Sequence, residues 1–284
     1  MKYAIIMLRL VNRKRYPKLL VITVIFAYLG AAACLTWRLF GNNTQNIPLR
    51  SAGLLLILLG IVLHGVLLYQ NTVTQIGINL GVLNAFSLIS WTILLLLLVS
   101  SLGKPVENLG IALLPLGALA VALEAQYPSI HLLDETASTG LTIHILVSLL
   151  AYSLLTLASV QAILLAIQDH HLHHRHPGGF IRALPPLQTM ETLLFEMIGA
   201  GFVLLTLALI SGFAFLEDMF AQHLAHKTIL SIIAWFVFGT LLWGRVRFGW
   251  RGQKALIWTL SGFVVLMLAY FGSKVVIELI LNRN

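Results

Sequence analysis

Apolar side chains along this chain come in long blocks, and polar ones collect between the blocks. The blocks cover residues 19–39, 51–69, 77–100, 109–123, 141–168, 197–216, 228–243 and 255–281. A bilayer core of roughly 30 Å takes about 20 helical residues to cross, whereas a β-barrel strand alternates over about ten. Uninterrupted apolar stretches such as 93–99 fit only the helical pattern. The expected fold class is all-α: a polytopic integral membrane helical bundle of about eight transmembrane helices.

Turn-forming residues support these limits. Gly41-Asn42-Asn43, Lys104-Pro105, Tyr127-Pro128-Ser129, Pro177-Gly178-Gly179 and Pro185-Pro186 all fall between blocks. The fourth block is short and carries Pro115, so it reads either as a true span or as a kinked or re-entrant segment. No connection is longer than 170–196, so residues 19–284 read as one transmembrane bundle behind a basic tail, 1–18. The tail leads into an apolar run that reaches Trp37 without a small-residue cleavage site, which favours an uncleaved first span over a signal peptide.

Composition agrees: 59% of the 284 residues are apolar and 10% charged, more apolar surface than a soluble fold of this length could bury. A net charge of +8 would suggest nucleic acid only if the basic residues shared one soluble patch. They flank the spans instead, so no nucleic acid partner is expected; membrane lipid is. With eight spans, Arg38, Arg50, Lys104, Arg175, Arg182, Arg245, Arg247, Arg251 and Lys254 share one side, expected to be cytoplasmic. Glu124, Asp134, Glu135, Glu217 and Asp218 lie on the other, together with the basic tail, whose charge opposes this orientation.

Candidate chemistry is sparse. Cys34 is the one cysteine and sits in an apolar block, which leaves no disulfide framework or CxxC motif. No Ser/His/Asp set, HExxH, Walker loop or paired intramembrane carboxylates occur, so no catalytic constellation supports an enzyme. His170, His171, His173, His174 and His176 have the spacing of a solvated loop with no carboxylate or cysteine frame. More informative is histidine at membrane depth, because an ionisable side chain there costs about 2.5–3.5 kcal/mol. His64 lies inside the second block, and His144 and His226 stand at the lips of the fifth and seventh.

His144 heads a stripe of Ser148, Tyr152, Thr156 and Ser159 on one helix face, expected to bond to other helices. Asn84, Ser87 and Trp91 make a similar stripe in the third span, with Asn79 a turn earlier. Both stripes read first as packing. For His64 and His144, a satisfied buried histidine and a ligand remain alternatives on these grounds. The segment 215–227 brings two carboxylates, His223 and His226 to the membrane surface.

Ala234-Trp235-Phe236, Trp243-Gly244-Arg245, Gly249-Trp250-Arg251-Gly252, Gly262-Phe263 and Ala269-Tyr270-Phe271-Gly272 follow one another in an order that resembles the cytochrome c assembly family. These are haem-handling membrane proteins of the CcsA and CcmC type, and the likeness is to their YpjD/HemX-like inner-membrane branch. The histidine-led segment LTIHILVSLLAYS and the third-span segment LNAFSLISW are similar as well, so the resemblance covers about 64–272. It implies a multi-pass protein of the bacterial inner membrane that binds or handles haem in cytochrome assembly or haem metabolism, with haem and other assembly proteins as partners.

In that family an outer tryptophan-rich WWD loop holds haem, outer histidines ligate its iron, and a second histidine pair lies in the membrane. The resemblance places His144 on an outer ligand position, a candidate for haem iron, and His64 on an intramembrane one. The WWD motif is absent: the family's Asp-Pro-Lys falls on Ala225-His226-Lys227 with no tryptophans before it. The second intramembrane histidine falls on Trp243, and no histidine follows Gly272. His226 and His223 occupy the stretch of the missing loop and are candidate cofactor-binding replacements. Haem binding without complete synthase machinery is the leading expectation. A membrane scaffold or auxiliary subunit that keeps the fold without cofactor is the alternative; a small-molecule permease lacks the inverted pair of broken helices that would support it.

Overall fold

The computed structural model describes residues 18–40, 47–74, 77–79, 81–127, 139–173, 184–215 and 225–272. Residues 1–17 of the basic tail, His223, His174, His176, Asp134, Glu135, Glu217, Asp218 and the last dozen residues lie outside them. The described elements are α1 (Lys18–Phe40), α2 (Ile47–Thr72), the strands β1 (Val73–Thr74) and β2 (Gly77–Ile78), and α3 (Val82–Gly103). A single 3-10 turn, Glu107–Leu109, leads into α4 (Gly110–Gln126). Then come α5 (Thr139–His173), α6 (Leu187–Phe215), α7 (Ala225–Phe248) and α8 (Gln253–Met267), which ends in a wider π-type turn, Leu268–Gly272. Eight helices are long and apolar enough to cross a membrane, so the chain is a polytopic helical membrane bundle.

Several boundaries differ from the apolar blocks, each for a local reason. The third span starts at Val82 instead of residue 77, because β1 and β2 pair as a two-residue ladder, Val73 with Ile78 and Thr74 with Gly77. Asn79 then turns the chain: its N–H donates to Thr72 O at 2.8 Å, and its Oδ1 accepts the Gly81 N–H at 3.1 Å. The fourth block is one continuous helix, long and apolar enough to cross a membrane together with the turn before it, and Pro115 is absorbed inside α4. The sixth begins at Leu187, ten residues before the apolar block, with Glu191 buried in its first turns.

The histidine cluster is also corrected. His170, His171 and His173 form the last turn of α5, with His171 Nδ1 2.9 Å from Ile167 O, so this stretch is helix and not loop.

Packing pairs the helices into two rings of four. α1 packs on α2, α2 on α3, α3 on α4 and α4 back on α1; α5, α6, α7 and α8 repeat the same circuit. The rings join chiefly where α3 meets α5. Consequently α3 is the most enclosed span and α7 the least. Inside the first ring Tyr28, Leu35, Leu94, Leu97 and Leu114 are fully buried; Leu155, Ile198 and Phe238 fill the second. Glycines let helices close: a Cβ on Gly60 would lie 2.5 Å from the Tyr28 ring. Leu19, Phe26, Leu55, Val203, Ile210 and Phe236 point outward, as lipid-facing positions require.

Because the chain alternates direction, one end of the bundle holds the start of α1, α3, α5 and α7 with the finish of α2, α4, α6 and α8. Among the described residues, the candidate histidines His64, His144 and His226 lie toward this end, and the ion-paired arginines lie at the opposite one.

Candidate functional site

His144 sits in the second turn of α5, against the last turns of α6. Its Nδ1 is 3.0 Å from the Ala208 carbonyl and 3.0 Å from Ser211 Oγ, and the Ser211 hydroxyl itself donates to Ala208 O at 3.0 Å. A carbonyl only accepts, and Ser211 has committed its hydrogen, so Nδ1 must carry the proton. Neutral His144 is then the Nδ1–H tautomer, with the Nε2 lone pair directed away from this anchor. The side chain is half-buried, and the same turns expose Ile143, Leu146, Ile210 and Phe213. A neutral imidazole held in one tautomer can ligate a metal through its other nitrogen.

Below His144, the hydroxyl stripe behaves differently from the expectation. Thr156 and Ser159 donate to the carbonyls of Tyr152 and Leu155 in their own helix, at 2.8 and 2.9 Å, rather than to other helices. A hydroxyl in a helix can satisfy itself on the carbonyl four residues back, which spares it an interhelical partner. Tyr152 reaches across to α8 and the turn after it, its ring 6.0 Å from Phe263 and 5.7 Å from Tyr270. The Ala-Tyr-Ser step and the Ala-Tyr-Phe-Gly segment thus meet in space.

His64 is fully buried, with both ring nitrogens engaged: Nδ1 lies 3.0 Å from Tyr28 Oη and Nε2 2.8 Å from Ser87 Oγ. It ties α1, α2 and α3 together. Neither nitrogen is open as His144 Nε2 is, so in this arrangement the geometry fits a hydrogen-bonded histidine better than a ligand. The third-span stripe does make interhelical bonds, as expected: Asn84 pairs with Thr72, and the Trp91 indole donates to Ile61 O at 2.8 Å.

The backbone puts His226 in the first turn of α7, at the same end as His144. His223 lies outside the described residues. Sequence reasoning missed Glu124, grouped there with the outer acidic residues; it is 4% exposed and accepts the Asn71 amide at 2.9 Å. It also missed Glu107 and Glu191 as buried ion-pair centres. Glu107 sits between Arg38 (2.9 Å) and Arg50 (3.1 Å), and Glu191 between Arg245 (2.7 Å) and Arg251 (3.0 Å). Carboxylates at helix starts with arginines flanking other spans were the available signal. Within the Gly-Trp-Arg-Gly segment, Trp250 packs flat on Gly244, where a Cβ would be 2.4 Å from the indole, while Arg251 grips Glu191 with two nitrogens.

A two-ring helical membrane bundle that presents an oriented histidine at one end is the class of protein this geometry defines. Comparison then gives the family: the description "Cytochrome C assembly protein" matches residues 50–281, and the chain belongs to the cytochrome c assembly family. It is 36% identical over 208 residues to the inner membrane protein YpjD of Escherichia coli K12, covering 72% of this chain and 77% of that one. An uncharacterized 28.8 kDa protein of Azospirillum brasilense is 32% identical over 195 residues, 66% of this chain and 72% of its own. The cytochrome c biogenesis protein CcsA of Gloeothece citriformis is 32% identical over 98 residues, 34% of this chain and 30% of its own. No solved structure matches significantly.

Proposed function

We propose that this is an inner-membrane haem-handling protein of cytochrome c assembly, in which His144 Nε2 binds haem iron. The carrying observation is the anchoring of Nδ1–H by Ala208 and Ser211, which fixes the tautomer that leaves Nε2 free to donate its lone pair. Backbone-anchored histidines of this kind are how proteins orient iron and zinc ligands. Ile143, Leu146 and Phe213 would give the group apolar surroundings, and His226 or His223 would supply a second nitrogen ligand. When bound, haem would supply an iron centre, which these histidine nitrogens would hold. Membership of the family and the printed names of its relatives, one an inner membrane protein and one a cytochrome c biogenesis protein, support the same reading.

On this reading covalent attachment of haem to a cytochrome falls to other assembly proteins, the expected partners. The arginine-bearing end faces the cytoplasm on this reading, and His144 faces the periplasm.

Absorbance of the purified protein after haemin reconstitution tests this. The wild type should show a Soret band that His144→Ala abolishes. Ser211→Ala, which loosens the anchor, should weaken haem affinity by roughly 10–100-fold. A wild type that takes up no haem, or a His144→Ala variant with an unchanged spectrum, refutes the assignment and favours the cofactor-free scaffold.

A further inference from the structure

Exposed residues on α7 recur as Ile229, Ile233, Phe236, Thr240, Trp243 and Arg247, in steps of three or four. That spacing is one helix face, mostly apolar along the span and cationic in its last turn. On α8 the exposed series is Lys254, Ile257, Ser261 and Val264, cationic in the first turn and mostly apolar beyond it. Each series is a lipid-facing stripe. At 1.5 Å per residue, Trp243 lies about 6 Å further into the span than Arg247, and Phe236 about 17 Å. The two helices pack on each other and are joined by residues 249–252, so both stripes finish in a cation at the same end of the bundle.

The connection between them is pinned. Gly249 and Gly252 take φ of +64° and +53°, and the Trp250 N–H donates to Gly244 O at 3.1 Å. The Trp250 ring lies 5.4 Å from that of Trp258, and Lys254 Nζ stands 5.7 Å from its centroid, within cation–π range. Arg251 reaches the other way, to Glu191.

Charges at this end of the bundle are unevenly matched. Arg38 and Arg50 share Glu107, Lys104 holds Glu196, and Arg245 and Arg251 share Glu191. Among the described residues, neither Arg247 nor Lys254 has a carboxylate partner. Asp169 is the other carboxylate nearby, across a hollow that Gly252 and Gln253 also line, and it faces His173 at 3.5 Å. Set Glu191 and Asp169 against Arg245, Arg247, Arg251 and Lys254, and two positive charges remain in excess at this edge. Exposed Val246 and Phe248 flank Arg247, so an anion held there would sit among apolar side chains.

We propose that the α7–α8 edge binds an anionic glycerophospholipid, its headgroup phosphate held by Arg247 and Lys254 and its acyl chains lying along the Trp243–Phe236 and Ile257–Val264 stripes. Arginine and lysine at span ends lay their apolar stems along the helix and set their charge at headgroup depth. Clustered cations beside a span recognise anionic headgroups in this way. A zwitterionic lipid offers the same phosphate but brings its own ammonium, which leaves the two excess charges unanswered, so net charge selects the occupant. A soluble phosphate would leave both apolar stripes uncovered. Binding here depends neither on haem at His144, which lies at the other end of the bundle, nor on which leaflet faces the cytoplasm.

Native mass spectrometry of the full-length protein tests it, with release from mixed micelles that hold equal amounts of phosphatidylglycerol and phosphatidylcholine with the same acyl chains. The wild type should retain phosphatidylglycerol in preference. Arg247→Gln combined with Lys254→Gln should cut that preference by roughly 10–30-fold, since each cation near an anionic lipid surface is worth about five-fold. Lys18→Gln, which removes an exposed cation at the opposite end, should leave it unchanged, and the exchange pair Arg247→Lys with Lys254→Arg should keep most of it. Added phosphatidylglycerol should raise the melting temperature of the wild type and the exchange pair but not of the double glutamine variant. Inorganic phosphate at millimolar concentration should displace no lipid. Equal retention of the two lipids by the wild type overturns the proposal, as does a Lys18→Gln loss as large as that of the double variant or displacement by inorganic phosphate.

Discussion

The Tyr28 ring lies against Gly60, and that contact aims its hydroxyl at His64. An alanine Cβ at Gly60 would come within 2.5 Å of Tyr28 Cε1 and 2.7 Å of Cδ1, in a site enclosed on all sides. Overpacking of this kind costs about 1–3 kcal/mol. Tyr28→Phe keeps the ring and deletes one hydrogen bond, which inside membranes is worth about 0.6 kcal/mol on average. Chemical unfolding in mixed micelles should thus rank Gly60→Ala as the more damaging change; the reverse order would mean that the hydroxyl, not the packing, holds this corner. Single residues were unevenly legible in the sequence. His64 announced itself as an imidazole in an apolar block, whereas Glu124 follows its block and looked like part of an outer loop. Its burial depends on α2 and α3 closing over it, a tertiary fact that periodicity does not carry. The same holds for His144: its candidacy was readable, but the anchor at Ala208 and Ser211 lies more than sixty residues away.

Charged helix ends tie each ring together. Glu107 sits just before α4 between arginines at the finish of α1 and the start of α2, and Glu191 opens α6 between Arg245 of α7 and Arg251 of the following turn. Buried carboxylates hold these spans at matching depth. Glu191→Ala would leave Arg245 unopposed where it is only 30% exposed. Breaking a buried pair costs about 3–5 kcal/mol, and partial solvent access brings the expected loss to the lower edge of that range. Arg251 is exposed and its removal still leaves Glu191 with Arg245, so Arg251→Ala should cost the least; equal melting temperatures for the two variants would refute this ordering. These ion pairs also explain why span boundaries were read less well than span number. Eight apolar blocks foretell eight helices, since each must satisfy its own backbone in lipid. But Glu191 and Glu196 made the first turns of α6 look like loop, although each finds a cation, Arg245 and Lys104 respectively. Histidines did the same for the last turn of α5.

At the scale of the molecule, eight alternating spans put Arg38, Arg50, Lys104, Arg245, Arg247, Arg251 and Lys254 at one end, while the first ring sends Glu124 toward the other. The basic residues are spread over every connection at their end, and short connections rich in lysine and arginine stay in the cytoplasm. Lys18 and the basic tail before it pull the other way, yet they act at one span only, whereas the opposing arginines act at both rings. The pairing of Arg38, Arg50, Arg245 and Arg251 with buried glutamates further commits that end, because translocating it would carry these groups through lipid. Residue 284 follows α8, which runs toward the His144 end. An alkaline phosphatase fused after Asn284 should therefore be active, and one inserted within residues 174–183 inactive, with a fluorescent cytoplasmic reporter giving the opposite pattern. A fluorescent fusion at Asn284 would place His144 and Glu124 on the cytoplasmic side, and the basic tail would then be the segment that sets orientation.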